Sequence, residues 1–238
     1  MMELHADRAH LVRALGAAPF FGALPDQALA ALARSGQLRL FVKGTTIYRR
    51  GEPGISLMLV LSGRIKICNV SPKGHEVVLN FLRAGDLGGE IAVLDGKERT
   101  ADAVALEETR ALVIMARDLL PVMIAHPKAL LEITKTLCEK LRAASAIVED
   151  ASLEMRARAA RGLLRLAQRH GKTTSKAIHL DVALSQQDLG NYLGISRENV
   201  SREFSRLKLA NVIRLEEGHI VITDREGLQE IAEFAFDS

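Results

Sequence analysis

The stretch FLRAGDLGGEIAVLDGKERTADA, residues 81–103, is the most informative part of this 238-residue chain. Its glycines lead to Gly88-Gly89-Glu90, and Arg99 and Thr100 follow close behind. Glycine adopts the positive φ angles that tight turns require, so such a stretch can bring these side chains together. A carboxylate, a guanidinium and a hydroxyl at one place could hold a sugar and a phosphate at once. The segment is therefore a candidate ligand site.

Short runs of β-forming residues surround this segment, and turns rich in glycine and proline separate them. Regular spacing of short strands with glycine turns predicts a β-sandwich or barrel. The predicted strands cover residues 38–42, 45–48, 57–62, 64–70, 76–82 and 111–115. Before them, Leu11, Leu15, Leu29 and Leu32 have helical spacing and predict short helices within residues 7–36.

A long helix is predicted after the strands, because residues 128–155 contain neither proline nor glycine. Its apolar positions alternate at spacings of four and three residues, as in the seam of a two-stranded coiled coil. They are Leu137, Leu141, Ala144, Val148, Ala151 and Met155. The pattern favours a parallel homodimer, and an amphipathic helix lying on its own domain is the alternative.

Residues 184–196 have the form of a helix-turn-helix, preceded by a predicted helix over 156–170, a loop over 171–176 and a strand over 178–180. Ser185 and Ser196 are good N-caps for the two helices, and Gly194 allows the tight turn between them. The second helix would bury Val200, Phe204 and Leu207. Residues 212–222 predict a hairpin that turns at Glu217-Gly218.

Positive charge is concentrated in the same part of the chain. Residues 156–214 carry 12 basic and 4 acidic residues, a balance of +8, whereas the whole chain has a net charge of +3. Such a local excess is expected of a surface that faces phosphate groups.

The segment around Glu90 resembles the phosphate-binding cassette of cyclic-nucleotide-binding domains. The resemblance implies that Glu90 accepts from the ribose hydroxyl, Arg99 pairs with the cyclic phosphate and Thr100 donates to that phosphate. It also implies main-chain contacts from Gly89, Ile91 and Ala101, and a hydroxyl contact from Ser145 on the long helix. Cyclic AMP is the first-ranked ligand. Cyclic GMP is second, because Thr100 resembles the residue of cyclic-GMP-tolerant sites and Ala144 lacks the hydroxyl that adenine-binding relatives carry.

The element Ser196–Arg202 resembles the recognition helix of the cyclic-AMP receptor/FNR family of regulators. The resemblance implies that Arg197, Glu198 and Arg202 read base edges, with Ser201 on the same solvent-facing side. Ser185, Gln186 and Ser196 become candidates for phosphate contacts. Both TGTGA-like and TTG-type half-sites stay open, since Arg197 and Ser201-Arg202 match different subgroups.

The resemblance covers about residues 20–230 and implies an α+β chain with three parts. These are a jelly-roll sensor domain over 1–127, a dimerisation helix over 128–155 and a winged helix-turn-helix domain over 156–238. The implied partners are palindromic double-stranded DNA, a second copy of the chain and RNA polymerase. A relative with a vestigial nucleotide site, independent of ligand or responding to a redox or gas signal, is the alternative function.

Other classes of protein fit the sequence poorly. It shows no nucleophile–base pair, metal-spaced cluster or P-loop, which argues against an enzyme and predicts no metal site. Cys68 and Cys138 are too few for a metal–sulfur site and are expected to be reduced thiols. We see no signal peptide and no run of about 18–20 apolar residues, so we expect a cytoplasmic protein without a membrane role.

Overall fold

A computed structural model describes residues 2–71, 74–174, 177–180, 184–216 and 219–233 of the chain. The chain divides into two compact units, Met1–Arg142 and Ala143–Ser238, and each is described by itself. Among the described residues, no helix combines the length and apolarity that a membrane span requires. The domain boundaries at residues 127 and 155 stay predictions.

The first unit begins with two helices, α1 (Met2–Ala17) and α2 (Asp26–Ser35), which pack against each other. Leu11, Leu15, Leu29 and Leu32 are buried, as their spacing predicted. Phe20 and Phe21, between the helices, are also buried and meet edge to face, with ring centroids 4.9 Å apart. The helical start of the chain therefore builds one apolar core with the strands that follow.

Two four-stranded antiparallel sheets follow in the first unit, in the orders β1-β8-β3-β6 and β2-β7-β4-β5. A second core cluster contains Met58, Ile65 and Leu82. The predicted β-roll and its six strands are confirmed, and two short strands, β6 and β7, were missed because small residues give them little β signal. The strands are β1 (Gln37–Phe41), β2 (Thr46–Tyr48), β3 (Ser56–Ser62), β4 (Ile65–Val70), β5 (Glu76–Leu82), β6 (Leu87–Gly88), β7 (Asp102–Ala105) and β8 (Thr109–Met115).

Three helices accompany the sheets: α3 (Glu90–Asp95), α4 (Ala116–Ala125) and α5 (Pro127–Asp150). The predicted helix over 128–155 was wrong at its end, because α5 stops at Asp150 and a new helix starts at Met155. Arg158 causes this break in part, since its guanidinium donates to the carbonyls of Asp150, Ala151 and Leu153. Ala151 and Met155, the last two positions of the predicted seam, therefore lie outside α5.

The second unit contains the predicted winged helix-turn-helix. Its helices are α6 (Met155–His170), α7 (Gln186–Leu193), α8 (Arg197–Leu209) and α9 (Arg225–Glu233). Its sheet has the order β11-β12-β10-β9, from β9 (Gly171–Thr173), β10 (Ile178–Leu180), β11 (Ile213–Glu216) and β12 (His219–Ile222). The predicted loop over 171–176 was wrong at its start, since Gly171–Thr173 pairs with β10. The predicted hairpin is confirmed in β11 and β12, whereas its turn at Glu217-Gly218 lies outside the described residues.

Candidate ligand site and nucleic-acid interface

Gly89 and Glu90 begin the short helix α3. Gly89 is its N-cap, with φ 83° and ψ 6° in the left-handed region that favours glycine. A Cβ atom there would also lie 2.3 Å from Nη1 of Arg99, so any side chain would displace the arginine. The Glu90 side chain is only 3% exposed. The glycine-rich approach therefore does what the sequence predicted: it places a buried carboxylate beside Arg99.

Lys140 of α5 binds the buried carboxylate of Glu90. The distance from Lys140 Nζ to Glu90 Oε1 is 2.6 Å, and the lysine side chain is about one-quarter exposed, at 26%. Sequence reasoning missed this residue. No local pattern could have identified it, because its partner lies 50 residues earlier in the chain.

The guanidinium of Arg99 is buried, with 6% of the residue exposed, yet its hydrogen bonds go to neutral oxygens. Nη1 donates to the carbonyl oxygen of Gly89 at 2.9 Å, and Nη2 donates to Oγ of Ser56 at 3.2 Å. Its Nε is buried without a hydrogen-bond partner among the described residues. Burial lowers the pKa of Arg99, although its surroundings, Tyr48 foremost, partly oppose this. The site thus holds a buried cation whose hydrogen bonds, among the described residues, involve no anionic group.

A pocket of about 380 Å³ adjoins Arg99. Tyr48 and Ser56 form part of its wall together with Gly88, and most of the rest is apolar, including Phe41, Ile47, Met58 and Val113. An apolar cavity with a few convergent polar groups is the usual form of a small-molecule site.

Three of the four remaining predicted ligand residues are exposed. Thr100 and Ser145 are exposed, Ile91 is 39% exposed, and Ala101 is buried. The structure therefore brings Gly89, Glu90 and Arg99 together. The assignment of Thr100, Ile91, Ala101 and Ser145 to the site stays a prediction.

The helix-turn-helix has the caps that the sequence predicted. Oγ of Ser185 accepts from the N–H of Asp188 at 3.0 Å, and Oγ of Ser196 accepts from the N–H of Asn199 at 3.3 Å. Gly194 has φ 67°, which ends α7 in the left-handed conformation. These local contacts set the start of the second helix, α8.

One face of α8 is buried and the other is open to solvent. Val200, Phe204 and Leu207 are buried, as predicted. On the other side lie the exposed Arg197, Glu198, Ser201 and Arg202, with Ser185 and Gln186 exposed at the start of α7 and Ser196 at the cap of α8. Hydrogen bonds from its own backbone N–H and from Ser196 hold the pKa of Glu198 below its usual value. The helix therefore presents strong donors and a charged acceptor at its N-terminal end.

Part of the positive charge in this segment is used inside the protein. Arg161 and Arg165 bind the carboxylate of Asp150, which is only 3% exposed. Arg158 is occupied by backbone carbonyls, including that of Gly194 at 3.1 Å. The excess of +8 in the sequence therefore overstates the charge that a phosphate backbone could meet.

The chain matches two protein-family models. Residues 38–126 match the cyclic nucleotide-binding domain, and residues 157–231 match the Crp-like helix-turn-helix domain. Two sequence relatives extend over nearly the whole chain. A CRP-like cAMP-activated global transcriptional regulator of Mycobacterium tuberculosis is 33% identical over 216 residues, which cover 90% of this chain and 96% of the relative. The cyclic AMP receptor protein of Thermus thermophilus is 32% identical over 218 residues, which cover 91% and 97%.

Solved structures show the same architecture. FixK2 from Bradyrhizobium japonicum superposes with a TM-score of 0.73 at 21% identity, covering 82% of this chain and 96% of that protein. Identity this low supports the fold alone. The predicted combination of a sensor β-roll, a long helix and a winged helix-turn-helix is confirmed.

Proposed function

This chain belongs to the CRP/FNR family of transcription regulators, and we propose that it acts as a homodimer controlled by a cyclic nucleotide, cyclic AMP before cyclic GMP. One observation carries the proposal. The buried guanidinium of Arg99, which hydrogen-bonds only neutral oxygens among the described residues, lies near the buried carboxylate of Glu90. A cyclic phosphate supplies a negative charge to pair with the Arg99 guanidinium, and a ribose supplies hydroxyl donors for the Glu90 carboxylate.

The roles of the site residues follow from their chemistry. Arg99 pairs with the phosphate, Thr100 donates a hydroxyl hydrogen bond to it, and Glu90 accepts from the ribose. Main-chain groups of Gly89, Ile91 and Ala101 line the same site. Ser145 offers a hydroxyl to the base from α5, a contact through which adenine and guanine can be distinguished.

Lys140 connects the ligand to the long helix. Its ammonium nitrogen lies 2.6 Å from Oε1 of Glu90. A ribose hydroxyl that binds Glu90 competes with this contact or rearranges it, and α5 then changes its position or its dynamics. The ligand favours the DNA-binding state only to the extent that it binds that state more tightly.

The dimer forms along α5. Leu141 is 67% exposed and Val148 is 73% exposed in the single chain, although both are large apolar residues at seam positions. Packing against the same seam of a second copy removes this surface from water. The two α8 helices then face half-sites about one helical turn, roughly 34 Å, apart.

On the DNA, Arg197, Glu198 and Arg202 read base edges. Arginine can pair with guanine O6 and N7, and a charged glutamate accepts from cytosine N4. The exposed hydroxyl of Ser201 lies on the same side of α8. Ser185, Gln186 and Ser196 contact phosphates, and RNA polymerase is a further partner at the promoter.

Titration calorimetry with cyclic AMP and cyclic GMP tests the ligand assignment. We expect the parent protein to bind at least one of them and the Arg99→Ala variant to bind neither. Arg110→Ala is the matched control, since Arg110 is an exposed arginine on β8. Anisotropy of labelled duplexes with TGTGA-like and TTG-type half-sites should show nucleotide-stimulated binding that Arg99→Ala loses, while sedimentation shows the dimer intact.

Two results would contradict the proposal. An Arg99→Ala variant that responds to nucleotide like the parent means that the site is misassigned. No heat with either nucleotide, together with tight DNA binding by the ligand-free protein, means that the cassette is vestigial.

A further inference from the structure

Tyr48 packs against the face of the Arg99 guanidinium. The Arg99 Cζ atom lies 4.3 Å from the centroid of the Tyr48 ring, well within the range of a cation–π contact. The hydrogen bonds to Gly89 O and Ser56 Oγ hold the two terminal nitrogens of the same group. Three contacts therefore define the position and plane of the guanidinium, whose Nε is buried without a hydrogen-bond partner among the described residues.

An irregularity in β2 places the tyrosine there. The pairing of β2 with β7 shifts between Thr46, which faces Val104, and Tyr48, which faces Ala103. Such a bulge re-aims the side chain at the end of a strand. Because β7 begins shortly after Arg99, a tyrosine facing Ala103 lies within reach of the arginine.

The ring holds the cation without neutralising it. Burial raises the pKa of the Tyr48 hydroxyl, so the side chain is a neutral phenol at physiological pH. A carboxylate hydrogen-bonded in the same place would pair with the charge of Arg99 and compete with an anionic ligand. The π face attracts the guanidinium and leaves its charge available.

We propose that Tyr48 is the positioning residue for Arg99, holding the guanidinium where it meets the phosphate of the ligand. This inference rests on the proposed nucleotide function. It adds a specific consequence: Tyr48 acts on the part of the ligand that all cyclic nucleotides share, so it sets their affinity and leaves the choice of base to other residues.

Calorimetry on the full chain tests this consequence. The Tyr48→Leu substitution should weaken the binding of cyclic AMP and of cyclic GMP by the same factor, about tenfold for the loss of a desolvated cation–π contact. The ratio of the two dissociation constants should therefore stay unchanged. Tyr48→Phe keeps the ring face and should stay within about twofold of the parent. Phe20→Leu is the control for lost volume, since Phe20 is a buried aromatic residue of the core that the first helices build and is not one of the residues that line the pocket.

Three outcomes overturn the proposal: unchanged affinities in Tyr48→Leu, an effect on one nucleotide only, or an equal loss in Phe20→Leu. A nucleotide-free measurement separates this from failure of the proposed function. Tyr48→Leu should lower the urea midpoint of the parent, and should lower it less in an Arg99→Met background. If the two substitutions are additive, Tyr48 does not hold Arg99, whether or not a nucleotide binds.

Discussion

Two buried clusters of arginine and carboxylate in this protein are built in opposite ways. At the end of α5, the carboxylate of Asp150 is bound directly by Arg161 and Arg165. In the ligand cassette, Glu90 is bound by Lys140 and Arg99 donates to neutral oxygens, although Glu90 and Arg99 are close enough to influence each other.

The difference separates a structural cluster from a binding site. Asp150 has both charged partners it needs within its own unit, so a ligand has nothing to add. In the cassette, Arg99 donates only to neutral oxygens and Glu90 is bound by a lysine side chain that is 26% exposed, so a ligand group can replace either partner. Buried charges that are incompletely compensated are retained where function uses them.

Removing Asp150 should have the largest effect on stability. Asp150→Ala leaves Arg161 and Arg165 without their carboxylate, and breaking a buried ion pair by removing one partner costs about 3–5 kcal/mol. Urea unfolding followed by circular dichroism measures this. The adjacent exposed residue supplies the control, since Glu149→Ala should change stability by less than about 0.5 kcal/mol. A decrease in the free energy of unfolding below about 1 kcal/mol for Asp150→Ala would mean that this ion-pair cluster is not an important structural contact.

Removing Lys140 should have the next largest effect. Lys140→Met leaves the buried Glu90 without its charged hydrogen-bond donor, at a cost of about 2 kcal/mol. Adding Glu90→Gln to this variant should recover part of the loss, because a neutral amide is less costly to bury than an unpaired carboxylate. Chemical unfolding of the single and double variants tests this, and a double variant less stable than Lys140→Met would contradict it.

Substitution of Arg158 tests whether its hydrogen bonds to backbone carbonyls are enough to end α5. Arg158→Met removes its bonds to Asp150, Ala151, Leu153 and Gly194, and we expect a loss of about 1–2 kcal/mol. Arg158→Lys keeps the charge but not the planar fork, so it should recover less than half of the loss. Full recovery by lysine would show that charge, rather than the guanidinium geometry, matters at this position.

Arg99 should show the smallest effect on stability and the largest effect on ligand binding. Arg99→Met gives up two hydrogen bonds to neutral oxygens but also removes a buried charge, so these terms nearly cancel within about 1 kcal/mol. Ligand-free unfolding checks the first part, and calorimetry with cyclic AMP checks the loss of binding. A destabilisation above about 2 kcal/mol would mean that Arg99, like Asp150, has a mainly structural role.

The candidate site was partly predictable. Gly89, Glu90 and Arg99 lie within ten positions of one another in the sequence, so their spacing was enough to predict a ligand site. The prediction missed Tyr48, Ser56 and Lys140. Ser56 and Lys140 contact residues that are 43 and 50 positions away in the sequence, and no neighbouring residue indicates those partners. The side chains that position and compensate the charges were therefore the ones missed.

The elements of the fold also divide into those set by neighbouring residues, which were predicted, and those set by distant residues, which were not. The caps by Ser185 and Ser196 and the turn at Gly194 were predicted because each depends on residues three or four positions apart. The end of α5 was not predicted, since residues 151–155 contain neither proline nor glycine and the carbonyls there are bound by Arg158 of α6. The strand at Gly171–Thr173 likewise exists through its pairing with β10.

The sequence was thus enough for the resemblance to the family, for most of the helices and strands and for the helix caps. The partner of each buried charge was decided by folding: Lys140 for Glu90, the neutral ring of Tyr48 for Arg99, and two arginines of the next helix for Asp150. The physical reason is range. Backbone conformation and capping depend on neighbours along the chain, whereas the energy of a buried charge depends on whatever the fold places within a few ångströms of it.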